Sequence, residues 1–256
     1  MSQRLARGIL KQAAISCRVY GPLRRAYRRW ARDAYTEHFR HEVAFYRQFL
    51  SPGDLCFDVG ANIGAKTEVF LALGARVVAF EPQPHCFREM MARCGPHPHL
   101  TGVSAAVGAA SGNVPMYVNR NSAASSLLRD WNTSHEKTIP IRVTTLDHEI
   151  RQYGPPGFCK IDVEGYELEV LRGLSRPLPL LSLEYHLDAK DTQKVLDCAA
   201  YLSTLGRKLE MNITLGEEME FTWPTWIGYD SFRESFPARA PRTETCGYGD
   251  LFIRTL

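Results

Sequence analysis

The residues best placed to do chemistry are two carboxylates and the turn between them. Asp58-Val59-Gly60-Ala61-Asn62-Ile63-Gly64 follows a short apolar run, Leu55-Cys56-Phe57, and Glu81 closes a second run, Arg76–Phe80. In open α/β sheets a ligand sits outside the carboxyl ends of the strands. Glu81 stands 21 residues after Gly60, where a carboxylate can accept hydrogen bonds from two neighbouring ribose hydroxyls, so a nucleoside ligand is implied. The glycine spacing narrows the choice. A dinucleotide fingerprint begun at Gly60 needs Gly at 62, but Asn62 stands there and Gly64 falls between the required positions. The loop therefore suits a nucleoside without a pyrophosphate. S-adenosylmethionine is one: an adenosine, a sulfonium and an amino-acid tail whose ammonium would suit Asp58, directly or through water. The competing reading is a glycine turn that only tightens strand–helix packing; the offsets of Asp58 and Glu81 argue against it.

A second group follows the later strands: Asp162 and Glu164 after Phe158–Ile161, then Glu184 and His186 at the end of Leu180–Tyr185. Methyl transfer from a sulfonium is an in-line displacement, for which a protein supplies proximity, alignment and a base for the acceptor's proton. His186, with an unperturbed pKa of about 6.5, suits that base; it equally suits a backbone hydrogen bond at a strand end. Glu164 could be the base or could cap the helix beginning near Tyr166. Asp162 is placed at the junction of cofactor and acceptor. Asp162, Glu164 and Glu184 could together hold a divalent ion, but no ligand spacing demands one and no metal ligand is assigned. Ser104-Ala105 closes a third strand, where small side chains leave room for an adenine ring and would equally suit helix packing. Thr222-Trp223-Pro224-Thr225-Trp226 with Tyr229 and Phe232 could wall an acceptor pocket or cover a sheet edge. His97-Pro98-His99 is too short a pattern to claim a metal.

These residues need a scaffold that aims strand ends at one place. The pattern predicts strands at 55–59, 76–80, 100–107, 158–163, 180–185, 209–215 and 250–254, with helices at 66–73, 85–94, 166–174 and 191–205. Strands alternating with helices imply a mostly parallel sheet with helices on both faces. Residues 114–118 and 139–143 read instead as a hairpin around a polar insertion. The expected organisation is a basic helical extension over residues 1–40 and one α/β domain over 41–256.

Charge is distributed unevenly. Residues 1–32 carry nine Lys or Arg and no acid, which leaves 22 basic against 28 acidic residues in the remainder. Such an arm could contact anionic lipid or nucleic acid, or pack as a solvated helix on the body. The acidic body argues against nucleic acid as the main partner. Seven scattered cysteines without a C-x-x-C pair indicate neither a disulfide framework nor a zinc site, and a reducing, cytoplasmic setting is expected. No signal-peptide h-region and no apolar run of membrane-spanning length is read.

The runs Phe57–Gly64 and Val78-Ala79-Phe80-Glu81-Pro82, with Thr145-Leu146-Asp147, Lys160-Ile161-Asp162-Val163-Glu164-Gly165-Tyr166-Glu167 and Gly249–Ile253, occur in the order seen in the FkbM family of methyltransferases. The chain resembles that family over roughly residues 40–256. The resemblance implies a class I methyltransferase (Rossmann-like) fold of seven strands, the last antiparallel, with S-adenosylmethionine as cofactor. It further implies O-methylation of a hydroxyl on a sugar or small natural product. With that family, Asp58, Gly60, Asn62, Gly64, Glu81, Pro82 and Asp162 are expected at the cofactor, as Ser104 and Ala105 are by their place at a strand end; Ser125 and Ser126 match a serine–leucine stretch seen in relatives and are expected to reach the ligand. Asp162, Glu164, Glu184 and His186 are the candidates for catalysis. Two other readings remain: an RNA methyltransferase using the basic arm, and a cofactor-binding module without turnover held at a membrane by that arm.

Overall fold

In the computed structural model the strands that read as continuous apolar runs are buried on both faces, as parallel strands covered by helices must be. They are β1 (Leu55–Val59), β2 (Arg76–Phe80), β7 (Phe158–Ile161) and β8 (Leu180–His186). The structure describes residues 36–119, 125–128, 137–186, 189–206, 208–216, 218–239 and 247–256; the basic segment 1–32 lies outside them. The chain divides into two units, 1–44 and 45–256. In the first, residues 36–44 are helical.

The second unit is built on an eight-stranded sheet. It also contains β3 (Leu100–Val103), β9 (Leu209–Ile213), β10 (Ile227–Gly228) and β11 (Tyr248–Thr255), in the order β10-β9-β11-β8-β7-β1-β2-β3. β1 pairs in parallel with β2 and β7, and β7 with β8; β11 enters antiparallel between β8 and β9. This is the expected α/β sheet with its final strand reversed; the eighth strand is only the two-residue edge β10. Helices α1 (Ala65–Ala72), α2 (Pro84–Cys94), α4 (Glu167–Arg172) and α5 (Ala189–Ser203) follow the predicted segments within a few residues.

Three features depart from the sequence reading. The third strand, expected to run through 107, turns after Val103, where the Ala105 N–H returns to the Val103 carbonyl at 2.9 Å. The chain then pairs as β4 (Ala106–Val107) with β6 (Lys137–Thr144), which is antiparallel to β5 (Gly112–Val118), forming a second, three-stranded sheet. Helix α3 (Leu146–Tyr153) was not anticipated, although Thr145 caps it by accepting the His148 N–H at 3.1 Å. Helix α6 (Tyr229–Arg239) was not read from the sequence; of the two readings left open for its aromatics it favours packing over a pocket wall, since Phe232 and Phe236 are fully buried and stack at 4.9 Å.

One face of the sheet is divided along the strands. Toward the amino ends lies an aromatic layer of Tyr46, Phe49, Phe70, Phe158, Phe221 and Phe252, with Tyr46–Phe70 ring centroids 5.1 Å apart and Phe158 parallel to Phe252 within 5°. Each such pair adds about 0.5–1.5 kcal/mol beyond the area it buries. Side chains two apart on a strand share a face, so Lys160 continues the row of Phe158. In register with Lys160 are Asp58 on β1 and Ser182 on β8, while Glu184 on β8 faces Asp250 on β11. Apolar packing thus gives way to charge at the carboxyl ends of β1, β7 and β8 and at the amino end of the antiparallel β11.

Candidate active site

The loop after β1 is held against the end of β2 by main-chain hydrogen bonds. Gly60 and Ala61 both donate to the Phe80 carbonyl at 3.0 Å. Gly60 has φ +84°, and a Cβ built on it would stand 1.8 Å from the Asp162 carbonyl oxygen. Gly64, the N-cap of α1 at φ +80°, would meet Met90 of α2 at 2.8 Å. Both glycines are therefore demanded by the protein's own packing as well as by backbone conformation. Gly60→Ala is expected to lower stability by at least about 1–3 kcal/mol through the left-handed backbone alone, with more from the clash. Thermal unfolding of that variant checks this, and a midpoint within a degree or two of wild type would contradict it.

Asn62, also left-handed at φ +49°, presents its N–H to Glu81 Oε2 at 2.9 Å, while the Gln83 N–H donates to Oε1 at 2.7 Å. Two amides thus lock the Glu81 carboxylate at the end of β2, and each oxygen retains acceptor capacity for a ligand. Burial pushes its pKa up to about 7, against those hydrogen bonds, which favour the ionised form.

At the ends of β7 and β8 the Lys160 ammonium, almost fully buried, lies 2.7 Å from Asp162 Oδ2 and 4.0 Å from Asp250 Oδ1. Burial opposes that charge, but Asp162 and Asp250 outweigh it and hold Lys160 firmly protonated. Burial would raise the Asp162 pKa; Lys160 and a hydrogen bond from Glu184 hold it below the ordinary range instead. Glu184 is driven the other way, to about 11, by burial and by the Asp162 charge. Two adjacent carboxyls thus carry one proton between them, with the negative charge on Asp162.

The connection from β7 to α4 carries Glu164 at φ +54° and Gly165 at φ +90°. Its Val163 and Gly165 amides donate to Glu167 Oε1 at 3.2 Å each, so the group satisfying this loop is Glu167. Above it Ser126 donates from Oγ to the Glu164 carbonyl at 2.8 Å and accepts the Leu128 N–H at 3.1 Å. Segment 125–128, which also bridges Tyr117 of β5, therefore fastens the insertion onto the strand ends.

Together these parts enclose a cavity. Of the residues singled out from the sequence, Gly60, Asn62, Glu81, Pro82, Ala105, Ser126, Asp162, Glu164 and Glu184 line it. Asp58, Gly64, Ser104 and His186 do not. Asp58 is buried behind the loop, where it accepts the Thr67 hydroxyl at 2.5 Å and burial raises its pKa. Gly64 lies in the α1–α2 contact and Ser104 is exposed. His186 sits beyond Glu184, at a second, smaller cavity that Glu184 also borders. The tryptophan segment lines neither cavity: Trp226 lies over Arg254 at 4.5 Å and packs on Phe221, covering the sheet edge. Lys160, Met116 and Tyr166 went unassigned in the sequence. A lysine two residues before Asp162 inside an apolar strand was the available signal for the first.

The domain model described as Methyltransferase FkbM domain matches residues 58–209, the stretch from Asp58 to the start of β9 that builds this cavity. The chain belongs to the FkbM methyltransferase family. Hexuronic acid methyltransferase AglP of Haloferax volcanii is 32% identical over 164 residues, covering 61% of this chain and 66% of that protein. Methyltransferase sdnD of Sordaria araneosa is 27% identical over 152 residues, 46% of this chain and 59% of that one. The chain thus spans less than two thirds of the length of either relative. A precorrin-6y C5,15-methyltransferase from Geobacter metallireducens superposes with TM-score 0.44 at 11% identity, over 83% of this chain and 86% of that one, a likeness too weak to bear on activity.

The matched domain is described as a methyltransferase domain, and S-adenosylmethionine is the methyl donor against which the cavity can be tested. The donor set fits that cofactor: an anchored carboxylate at Glu81 for ribose hydroxyls, apolar walls at Phe80, Ala105 and Val107 for a flat base, and anionic Asp162. When bound, the cofactor supplies a methyl carbon activated by positive sulfur. Among the described residues no helix is long and apolar enough to cross a membrane.

Proposed function

We propose that the protein is an S-adenosylmethionine-dependent enzyme that methylates a hydroxyl of a sugar or small natural-product acceptor. The observation that carries this reading is the Asp162–Glu184 pair: an ionised and a protonated carboxyl side by side on the cavity that also holds Glu81. An alcohol has to shed a proton as its oxygen takes the methyl carbon and the carbon–sulfur bond breaks, its electron pair leaving with sulfur. Asp162 is the group to accept that proton. Lys160 keeps it ionised beforehand, and Glu184 shares the hydrogen-bonded charge. Glu164, on the same wall, meets the acceptor, and His186 remains beyond it as a carrier of the proton outward.

A carbohydrate acceptor is supported by the relative named as a hexuronic acid methyltransferase. The test incubates the full chain with S-adenosylmethionine and hexuronic acids, neutral sugars and RNA in turn. Formation of S-adenosylhomocysteine and of a methyl ether on a sugar is expected by mass spectrometry. Asp162→Asn should reduce kcat at least about 100-fold, as loss of a positioned base does, measured at saturating S-adenosylmethionine. Methyl transfer to RNA alone would overturn this reading in favour of a nucleic-acid enzyme, and cofactor binding without turnover on any acceptor would favour the binding module.

A further inference from the structure

Glu164, Glu184 and His186 meet at the wall between the two cavities. One ligand atom from each, two carboxylate oxygens and an imidazole nitrogen, lie within 4.8 Å of one another. They come from two elements. Glu184 and His186 are alternate residues at the end of β8 and so share a face; Glu164 reaches them from the connection after β7. All three are half-buried. Asp162, the acid a sequence reading would add to such a set, is engaged at 2.7 Å by the Lys160 ammonium.

We propose that Glu164, Glu184 and His186 bind one divalent cation of the magnesium or manganese class, which orients the acceptor hydroxyl in the cavity. This inference rests on the acceptor reading above. Oxygen and imidazole ligands at about 2.0–2.6 Å from a common ion can stand up to about 4–5 Å apart, the range in which these atoms fall. Two carboxylates with one imidazole suit a hard or borderline ion and leave coordination positions open, the ion taking the place of the proton that Glu184 otherwise shares with Asp162. The independent observation is the cavity itself: Glu164 and Glu184 line the space that holds Glu81 and Asp162, so open positions on an ion there face the point where a hydroxyl must meet the methyl group. A sugar presents pairs of neighbouring hydroxyls that can chelate such an ion, which lowers their pKa and hands the released proton to Asp162. No oxidant or further reactant enters: the ion stays divalent, the oxygen–hydrogen bond breaks and the oxygen–carbon bond forms.

The experiment titrates Mn2+ into the full-length protein after chelator treatment, following the free Mn2+ signal by electron paramagnetic resonance. Glu164→Gln, Glu184→Gln and His186→Ala are measured alongside. One saturable Mn2+ per chain is expected, weakened at least about tenfold by each substitution. Circular dichroism and calorimetric binding of S-adenosylmethionine in chelator report whether each variant is folded. Turnover on a hexuronic acid should fall in chelator and return with Mg2+ or Mn2+. Absence of saturable Mn2+ binding below millimolar concentration in wild type, or equal binding in all three variants, overturns the site. Full turnover in chelator overturns it too. If S-adenosylmethionine binds in chelator while Mn2+ does not, only the cation site fails; if S-adenosylmethionine itself does not bind, the reading of the cavity fails with it.

Discussion

Replacing Lys160 by Met is expected to destabilise the protein by about 3 kcal/mol at neutral pH, the lower end of what breaking a buried ion pair costs. The lower end applies because Asp162 keeps about a third of its side chain exposed, whereas Lys160 keeps 2%. The loss comes chiefly from what stays behind: Asp162 and Asp250 would hold negative charge beside Glu184 with no ammonium between them. The pH dependence follows from the sign of the shift. Asp162 titrates below its unfolded value in the wild type, so the stability it contributes is present above the ordinary carboxylate range and is lost as pH falls through the depressed value. Without Lys160 that contribution is absent at neutral pH, and protonating the stranded carboxylates at acid pH relieves the repulsion. The deficit should therefore shrink as pH drops below about 4. Denaturant unfolding of wild type and variant across pH measures it. Lys160→Met/Asp162→Asn should recover part of the loss, giving a coupling of about 1 kcal/mol or more. A deficit under about 1 kcal/mol, or one independent of pH, would show that the pair contributes little.

The same lysine marks the limit of what the sequence made legible. Strand positions along β1, β2, β7 and β8 could be read because strands buried on both faces must be apolar throughout, and that pattern survives in one dimension. The ligand end of the sheet could be read for the same reason, since Asp58, Glu81, Asp162 and Glu184 all fall where parallel strands finish. Which acids look into the cavity could not. Asp58 and Glu81 each follow or close a strand, yet Asp58 turns back to Thr67 while Glu81 is drawn by the Asn62 and Gln83 amides to the cavity rim. That difference depends on whether the side chain points inside β1 or beyond β2. The departure of β4 from the main sheet was equally hidden, because Val103 to Val107 is apolar enough for one strand and the break is a single main-chain hydrogen bond at Ala105. Phe232 and Tyr229 could be read either as pocket aromatics or as cover for a sheet edge because their type suits both; helix α6 assigns Phe232 to the core.

S-adenosylmethionine should bind Glu81→Gln roughly 100-fold more weakly than wild type at about pH 8, a loss of about 2.7 kcal/mol. That is the scale of hydrogen bonds to a charged acceptor, about 1.5–3 kcal/mol each. The wild-type affinity should itself depend on pH, with a sign set by the raised pKa. The carboxyl titrates at about 7, so at acid pH it is protonated and one oxygen becomes a donor that meets a donor hydroxyl. Affinity should fall by up to tenfold per unit below about pH 7, as for any ligand that selects the deprotonated form, and level off above it. Stability of the unliganded protein should move the other way. A carboxyl whose folded pKa is raised contributes stability that is complete below its unfolded value and lost as pH rises through about 7, and Glu167, raised to about 7 as well, adds in the same sense. Alkaline conditions thus loosen the empty protein while tightening its grip on cofactor. Calorimetry from about pH 6 to 8 on both proteins measures the binding limb; titration of the ligand's own groups persists in Glu81→Gln, so the difference between the curves belongs to Glu81. Wild-type affinity that is flat over that range, or a Gln variant within about threefold of wild type, would mean that the anchored carboxylate does not hold the ribose and that the nucleoside lies elsewhere in the cavity.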